Sequence, residues 1–328
     1  MICRKELVIK ELDVLRRLAP TEEAGVFKVR QYTAAIKTLR ALPALRTMSD
    51  LPTATKGDGL GTQIRKKIEH ILTTGSGLNI SDKARTKADA LACFSAIYGV
   101  GPKKAEELVA AGFTTIVELR AAVTKTPGIL NRNQHLGLKY YEDILERIPR
   151  AEMDVHAAAL MAAKPMALKG VIVGSYRRGN SDSGDIDMLL TCPSGTDTGT
   201  FLNDMVTRLR DTGYLLEILA QGEHKCLAIV ALPHGKARRL DLLVISPDEF
   251  PFAVLYFTGS DAFNVRMRQM ALERGFTLNE HALTQVSTGR KVKGIKTEED
   301  IFVALKCVWC PPEGRTGADA CKSINAFP

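Results

Sequence analysis

Apolar residues recur every three or four positions after two glycine-rich turns in the first half of the chain, in the runs 64–72 and 105–109. This spacing is the period of one face of an α-helix. It predicts a helical segment over 1–81, which closes in the turn-rich stretch 73–77, and a second one over 82–149. The first half is therefore predicted to be all helical.

Strand signals begin only after residue 150. Short apolar runs bounded by Gly, Asn, Asp or Pro are typical of strands, and here they predict a mainly antiparallel sheet. From about residue 248 the pattern is mixed, with a helix expected over 264–274. The expected fold class is an α+β multidomain protein. Its predicted strands cover 171–173, 186–190, 225–231 and 240–245, and its predicted parts are 1–81, 82–149, 150–247 and 248–328.

Charge is distributed unevenly along the 328 residues, which carry a formal net charge of +8. Residues 1–149 contain 24 lysines and arginines against 16 aspartates and glutamates, whereas residues 150–328 contain 21 of each. With 45% hydrophobic residues, the chain has enough apolar content for several cores. The asymmetry indicates that the first half binds a polyanion and the second half carries the chemistry.

Acidic residues occur at two of the predicted strands. Asp185 and Asp187 are two positions apart, so on a strand both carboxylates point to one face. Asp241 lies among aliphatic residues, where a carboxylate is rare unless a cation compensates it. Carboxylate-only ligation suits a hard ion such as Mg²⁺, which leaves coordination positions to substrate phosphates. The alternatives are a solvated strand end for the pair, and an ion pair with Arg238 or Arg239 for Asp241.

A phosphate-binding turn is predicted just upstream of the acidic pair. Gly174 and Ser175 follow the strand 171–173, and a tight turn there would aim backbone N–H groups and the Ser175 hydroxyl at a phosphate. Arg178 would supply the countercharge. A Gly-Ser pair alone is more often an ordinary turn, so the combination with the aspartates carries the prediction.

Two similar glycine turns, Gly59-Leu60-Gly61 and Gly99-Val100-Gly101, lie about 40 residues apart in the basic half. Both resemble helix-hairpin-helix motifs, whose backbone N–H groups bind a DNA phosphate without reading sequence. The alternative is a pair of ordinary corners between helices.

Lys67 lies three residues after Ile64 and four before Ile71, at the border of an apolar helix face, with Arg65 and Lys66 beside it. Burial and neighbouring positive charge favour the unprotonated amine, which is the nucleophile of Schiff-base chemistry. The alternative is a solvated lysine or a simple phosphate contact.

These motifs together resemble a known family. Gly-Ser-x-Arg-Arg-Gly, Gly-Asp-x-Asp and a distant Arg-x-Asp strand are typical of the nucleotidyltransferase superfamily. Two further strings, at 255–264 and 275–280, resemble the nucleotide-binding segment and following turn of family X DNA polymerases of the polymerase beta type. The resemblance extends from about residue 25 to about residue 305.

The resemblance implies a template-directed repair polymerase that fills gaps in nicked or gapped DNA from dNTPs by two-metal transfer, together with 5′-deoxyribose phosphate lyase activity for base excision repair. It implies two Mg²⁺ ions, or Mn²⁺ in their place, and a monomeric enzyme. The implied metal ligands are Asp185, Asp187 and Asp241, and the β- and γ-phosphates would be held by Ser175, Arg178, Ser183 and Gly184.

The resemblance also implies roles for residues outside the metal site. In the nucleotide segment, Tyr256 would exclude a ribose 2′-OH, Asp261 would pack on the incoming base and Asn264 would read its minor-groove edge. Lys67 would be the lyase nucleophile. The remaining implied contacts are Phe257 and Gly259 to the nucleotide, Arg239 and Arg268 to DNA, Lys28 and Tyr32 in the lyase pocket, the turns at Gly59, Gly61, Gly99 and Gly101 to DNA, and the carbonyls of Ser95, Ile97 and Val100 to Na⁺ or K⁺.

The chain departs from the family pattern at three places. Gln63 stands where a basic residue is common, and Gly57-Asp58 where Leu-Pro is common, so weaker 5′-phosphate binding and an altered first turn are expected. Leu243 stands two residues after the third aspartate, where the family has an arginine that pairs with a metal ligand. We expect the resting metal site to be less restrained.

Two other function classes remain open: a template-independent or RNA-tailing nucleotidyltransferase, and an inactive DNA-binding relative. The seven scattered cysteines indicate a reduced, intracellular protein. The resemblance to repair polymerases implies a nuclear location, with a mitochondrial or viral origin as alternatives. Cys307, Cys310 and Cys321 are either free thiols or three ligands of a zinc ion. We expect no membrane segment, no exonuclease and no further module before residue 25.

Overall fold

The computed structural model describes residues 2–53, 55, 57–192, 198–317 and 320–322. The chain divides into two compact units, Met1–Tyr141 and Glu142–Pro328.

The first unit is helical, and within its described residues it has no strand. Its helices begin where the sequence supplies caps: the side chains of Ser81, Thr115 and Asn131 accept hydrogen bonds from the first-turn N–H groups. The prediction of an all-helical first half is confirmed as far as Leu145, but the end of the predicted helical segment 82–149 forms the short strand β1 (Ile148–Pro149), which pairs with Asp182–Ser183. The helices are α1 (Lys5–Arg17), α2 (Glu23–Ala41), α3 (Thr62–Thr74), α4 (Asp82–Ser95), α5 (Pro102–Ala110), α6 (Ile116–Lys125), α7 (Arg132–Lys139) and α8 (Tyr141–Leu145), which continues into the second unit.

Two hydrophobic cores lie in this unit. Helices α1, α2 and α3 pack around the first, and helices from α4 to α7 around the second. The buried Glu11 carboxylate of α1 pairs with Arg85 of α4 at 2.9 Å and accepts a hydrogen bond from the Leu78 N–H. This bidentate ion pair lowers the pKa of Glu11 and joins the two helical groups.

The second unit is built on a five-stranded sheet in the order β2-β4-β7-β6-β5. The β4 and β7 strands run parallel, and the other three neighbouring pairs are antiparallel. The expected α+β class with a mainly antiparallel sheet is therefore confirmed. The strands are β1 (Ile148–Pro149), β2 (Lys169–Ile172), β3 (Asp182–Ser183), β4 (Ile186–Thr191), β5 (Leu215–Gln221), β6 (Lys225–Val230), β7 (Arg238–Ile245), β8 (Phe276–Leu278) and β9 (Leu283–Gln285).

Helices cover the sheet and form a smaller C-terminal core. The largest core lies between the sheet and helices α9 (Arg150–Ala163) and α11 (Thr198–Asp211). A second apolar cluster joins β2 and β4 to α12 (Phe250–Thr258), and Leu243 packs against it. The other helices are α10 (Gly174–Arg177), α13 (Asp261–Glu273) and α14 (Glu298–Ala304).

Two expectations about elements need correction. Helix α13 begins at Asp261 and not at residue 264, because the Ser260 side chain caps it and accepts a hydrogen bond from Phe263 N–H. Strand β5 was not predicted, since two register shifts against β6 interrupt its alternation of inward and outward residues.

Candidate active site

Two aspartates face each other across the parallel strands of the sheet. Asp187 of β4 is the register partner of Asp241 of β7. Asp185 lies in the bend just before β4, so it is not a strand residue as predicted. Along β7 the buried residues alternate with half-buried ones, and Arg239, Asp241 and Leu243 share the half-buried face. The parallel pairing therefore brings together carboxylates that are more than 50 residues apart in sequence.

Cations accompany two of these carboxylates. Arg239 forms an ion pair with Asp185, and the Lys225 Nζ lies 3.6 Å from an Asp241 oxygen. Of the alternative partners considered for Asp241, Arg238 is buried and binds Glu152 at 2.6 Å, whereas the positive charge of Arg239 does act on Asp241 and lowers its pKa against the effect of burial. Lys225, a second cation beside Asp241, comes from the neighbouring strand β6.

Burial and mutual repulsion raise the proton affinity of this group. Burial, then the negative charges of Asp185 and Asp241, raise the pKa of Asp187 to about 7. Burial also raises the pKa of Asp241, against the opposing effect of Arg239 and Lys225. Carboxylates held in this way gain most from a divalent cation, which favours their charged forms.

The three carboxylates are ligands that suit a hard cation, but two of them already interact with basic side chains. Among the described residues, no three acidic, histidine or cysteine side chains converge as a ready-made metal cage. One oxygen of Asp185 pairs with Arg239, and one oxygen of Asp241 lies near Lys225. Binding of Mg²⁺ would require these pairs to rearrange.

The turn at Gly174 packs directly on Asp187. Gly174 has φ +66°, and a Cβ at this position would lie 2.8 Å from Asp187 Oδ2. Only glycine therefore permits this approach. The turn continues as α10, and Ser175 Oγ donates a hydrogen bond to Ser183 Oγ at 2.9 Å. The two predicted phosphate-binding hydroxyls thus lie side by side.

The arginines of this motif reach the segment after α12. Arg178 donates to the Thr258 carbonyl oxygen, next to Gly259, and burial lowers its pKa. Arg177 contacts the Thr258 hydroxyl at 2.7 Å and forms an ion pair with Glu298. The predicted phosphate ligand Arg178 is therefore held against the predicted nucleotide-binding segment.

The predicted nucleotide contacts gather at the α12–α13 junction. Asn264 donates to the Tyr256 carbonyl oxygen at 2.7 Å, and the Arg268 guanidinium lies over the Tyr256 ring at 5.0 Å from its centroid. Phe257 contacts Tyr256 edge to face. Asp261 begins α13 and is exposed. The expected spacing of Asp261, Asn264 and Arg268 along one helix is thus present.

A separate pocket of about 620 Å³ lies in the first unit. Lys67 lines it together with Lys28 and Tyr32, and Phe27 and Gln63 are also part of its wall. Lys67 is half-buried, whereas Lys66 is exposed and is not part of the lining. Burial raises the pKa of Tyr32. The fold thus assembles the residues of the proposed lyase site from α2 and α3.

Both glycine turns lead into helices as predicted. Gly59 and Gly99 have φ of +73° and +81°, and Gly61 and Gly101 are the N-cap residues of α3 and α5. In the first turn Asp58 accepts hydrogen bonds from the N–H groups of Thr55 and Leu60, both at 2.7 Å. The Asp58 side chain thus closes the first turn. In the second, the Ile97 carbonyl accepts a hydrogen bond from Val100 N–H at 3.0 Å, and the monovalent cation site with Ser95 stays a prediction.

All seven cysteines are free thiols. Cys307, Cys310 and Cys321 are buried in one hydrophobic core. No group of three metal-ligating side chains was found among the described residues, so the zinc alternative receives no support.

Comparison with known proteins gives three family matches that follow one another along the chain. Residues 92–145 match the fingers domain of DNA polymerase lambda, residues 147–247 the DNA polymerase beta palm, and residues 253–316 the DNA polymerase beta thumb. The chain belongs to family X of DNA polymerases. It is 31% identical to DNA polymerase lambda of Rattus norvegicus over 94% of this chain and 56% of the relative. It is 32% identical to DNA polymerase lambda of Arabidopsis thaliana over 78% of this chain and 52% of the relative.

The chain thus spans about half the length of these family X relatives. The palm match contains all three aspartates, and the thumb match contains the segment from Leu255 to Asn264. Within the described residues, no helix is long and apolar enough to cross a bilayer.

Sequence reasoning missed several residues of the site. The sequence places Lys225 only at the start of a strand, and its contact with Asp241 depends on the pairing of β6 with β7. The sequence does not single out Glu298, which binds both Arg177 and the buried Arg315. A signal for Glu298 was present in the capping box that Thr297 begins, but that pattern predicts a helix start and not an ion pair.

Proposed function

We propose that this protein is a template-directed DNA polymerase of the repair type, which fills short gaps in DNA by nucleotidyl transfer from dNTPs. The observation that carries the proposal is the register pairing of Asp187 with Asp241 beside the Gly174 turn. It joins a carboxylate group suited to a divalent cation to a turn suited to phosphate, within the matched palm.

Asp185, Asp187 and Asp241 would hold two Mg²⁺ ions, which when bound activate the primer 3′-OH and stabilise the charge of the triphosphate. Asp241 would accept the proton of the 3′-OH, because burial raises its pKa and makes it a better base than an exposed aspartate. Ser175, Ser183 and Arg178 would orient the β- and γ-phosphates. Tyr256, Asn264 and Arg268 would select the nucleotide opposite the template.

Primer extension on gapped DNA with all four dNTPs, with and without a template strand, tests this proposal. Asp187→Ala should reduce extension by at least about a hundredfold while gapped-DNA binding is kept, since a metal ligand is lost and no DNA contact is touched. Asp204→Ala is the matched control, because Asp204 is a partly exposed acid of the same unit that pairs with Arg208 on α11, away from the three aspartates.

Three outcomes separate the alternatives. Extension that needs no template would favour a tailing nucleotidyltransferase. DNA binding without any extension by the unmodified chain would favour an inactive relative. Extension by Asp187→Ala at more than about a tenth of the normal rate would contradict the role of Asp187.

We also propose a 5′-deoxyribose phosphate lyase in the first unit, with Lys67 as the nucleophile. The support is the pocket that Lys67 lines together with Lys28 and Tyr32. The Lys67 amine would add to the sugar aldehyde as a Schiff base, and Lys28 would bind the 5′-phosphate. The combined activities would serve base excision repair, in a monomer located most simply in the nucleus.

Borohydride trapping on DNA with a 5′-deoxyribose phosphate tests the lyase. Lys67→Ala should lose most of the covalent adduct and keep primer extension. Lys66→Ala is the matched control, because Lys66 is the adjacent lysine and lies outside the pocket. Equal trapping by the unmodified chain and Lys67→Ala would assign the nucleophile to another lysine.

A further inference from the structure

Two of the three C-terminal cysteines form a pair inside the thumb-matched region and its continuation. Cys307 follows α14, and Cys321 lies in the last described segment. Their exposed fractions are only 3% and 5%, and both belong to the core that α13 and α14 enclose. The proposed polymerase and lyase activities use neither residue.

The two thiols contact one another. Cys307 and Cys321 share a side-chain hydrogen bond, which raises the pKa of Cys321 and lowers that of Cys307. Val308 N–H donates to the Lys322 carbonyl oxygen at 2.9 Å, so the backbone segments just after each cysteine lie side by side. The thiol of the third cysteine, Cys310, donates to the Pro311 carbonyl oxygen at 3.6 Å.

The surroundings of Cys307 favour its thiolate. The hydrogen bond with Cys321 lowers its pKa to about 7, against the effect of burial, and the positive charges of Arg274 and Arg266 add to the lowering. The thiolate is the reactive form of cysteine toward oxidants. A small oxidant is required, since both sulfurs are buried.

We propose that Cys307 and Cys321 are a redox modification site, which a small peroxide converts to an intramolecular disulfide. The Cys307 thiolate attacks one peroxide oxygen, the O–O bond breaks, and the departing hydroxide takes up a proton as water. Cys321 then attacks the sulfenic sulfur, the S–O bond breaks, and the hydroxyl leaves with the Cys321 proton as a second water. Two thiols are oxidised and one peroxide is reduced.

The disulfide would join the chain after α14 to the C-terminal segment beside α13. Cys321 Sγ lies 2.9 Å from Met267 Sδ and 3.0 Å from Met270 Sδ, both on the helix that carries Asn264 and Arg268. Closure of the loop 307–321 restricts the unfolded chain, so the oxidised protein should unfold at a temperature higher by roughly 5 °C.

Peptide mass mapping of the full chain tests the site. The reduced protein is treated with hydrogen peroxide, remaining thiols are alkylated, and the protein is digested. We expect a Cys307–Cys321 cross-linked peptide that lacks two hydrogens and that dithiothreitol reverses. Cys307→Ser and Cys321→Ser should each abolish this peptide. Cys310→Ser, a change in the same core, should leave it in place.

Peptide mapping of the unmodified chain detects the cross-link without any substitution. The test therefore remains valid even if one of the variants fails to fold. A bridge from Cys307 to Cys310, a bridge between two molecules, or sulfonic acids as the only products would overturn the proposal. A cross-linked protein that unfolds at a lower temperature than the reduced protein would also overturn it, because the bond would then distort the core.

Discussion

The proton affinity of Asp187 couples the metal site to folding. Its pKa is about 7 in the folded chain, against an ordinary value of 3.8. Between these values the folded state binds more protons than the unfolded state. The contribution of Asp187 to the free energy of unfolding is therefore greatest below about pH 4 and is lost as pH rises toward 7. The loss is no more than about 4 kcal/mol, since each pKa unit is worth about 1.4 kcal/mol.

Asp187→Asn should therefore flatten this pH dependence in metal-free protein. The unmodified chain in EDTA should lose stability from pH 5 to pH 7 relative to Asp187→Asn, as measured by denaturant unfolding. Added Mg²⁺ should recover stability at pH 7 in the unmodified chain alone. Parallel pH profiles for the two proteins would contradict the burial-driven shift.

The Lys225 ammonium group lies beside Asp241, a carboxylate that would bind a metal. Its Nζ lies 3.6 Å from Asp241, and its side chain is 48% exposed. Leu243, at the position where the family has an arginine, packs instead in the apolar cluster beneath α12. The resting site therefore has cations from two strands, Arg239 of β7 beside Asp185 and Lys225 of β6 beside Asp241.

Lys225→Met should strengthen binding of Mn²⁺ in the absence of DNA. An exposed ion pair is worth up to about 1 kcal/mol, so removal of the competing cation should raise the affinity by no more than about fivefold. Electron paramagnetic resonance of free Mn²⁺ measures this. Lys236→Met, which removes a lysine paired with Glu146, should leave the affinity unchanged. Unchanged or weaker binding by Lys225→Met would exclude competition at Asp241.

The first glycine turn requires glycine at position 59 for two reasons, its positive φ and its close packing. A Cβ on Gly59 would lie 2.3 Å from Ala35 N and 2.4 Å from Gln31 O, so the turn touches the backbone of α2. Gly61 has φ −63° and nothing within 4 Å of an added Cβ. Gly59 therefore has a structural role that Gly61 lacks.

Gly59→Ala should destabilise the first unit by roughly 2–4 kcal/mol, because positive φ and the contact with α2 both oppose a side chain. Gly61→Ala should cost less than about 1 kcal/mol. Thermal unfolding of the two variants checks the difference. Equal destabilisation would show that the turn does not pack on α2 as described.

The sequence could predict the two strands that carry the aspartates, but not how these strands pair. The run from Ile186 to Leu190 and the run from Leu240 to Ile245 have strand composition, so two carboxylates could be assigned to a sheet. Their pairing in register depends on the chain between them, which includes the unpredicted strand β5. For the same reason Lys225 could not be found, since a contact across strands leaves no local pattern.

The difference in net charge between the two parts of the chain is larger when the chain is divided at the boundary of its two compact units. Residues 1–141 carry 23 lysines and arginines against 13 acidic residues, and residues 142–328 carry 22 against 24. The net charges are therefore of opposite sign in the two units. The helical unit has the charge, and the glycine turns at two helix N-termini, that non-specific phosphate binding needs.

Binding to gapped DNA should weaken steeply with salt, and the segment 1–141 should retain most of that dependence. Each phosphate neutralised contributes a slope of about −0.9 in log K against log salt, so four to six contacts give roughly −4 to −5. Fluorescence anisotropy at increasing NaCl measures the slope for the full chain and for each unit. The segment 142–328 should bind weakly and with a shallow slope, because its net charge is negative. If that segment bound as tightly and with as steep a slope as the full chain, the division into a DNA-binding unit and a chemical unit would be wrong.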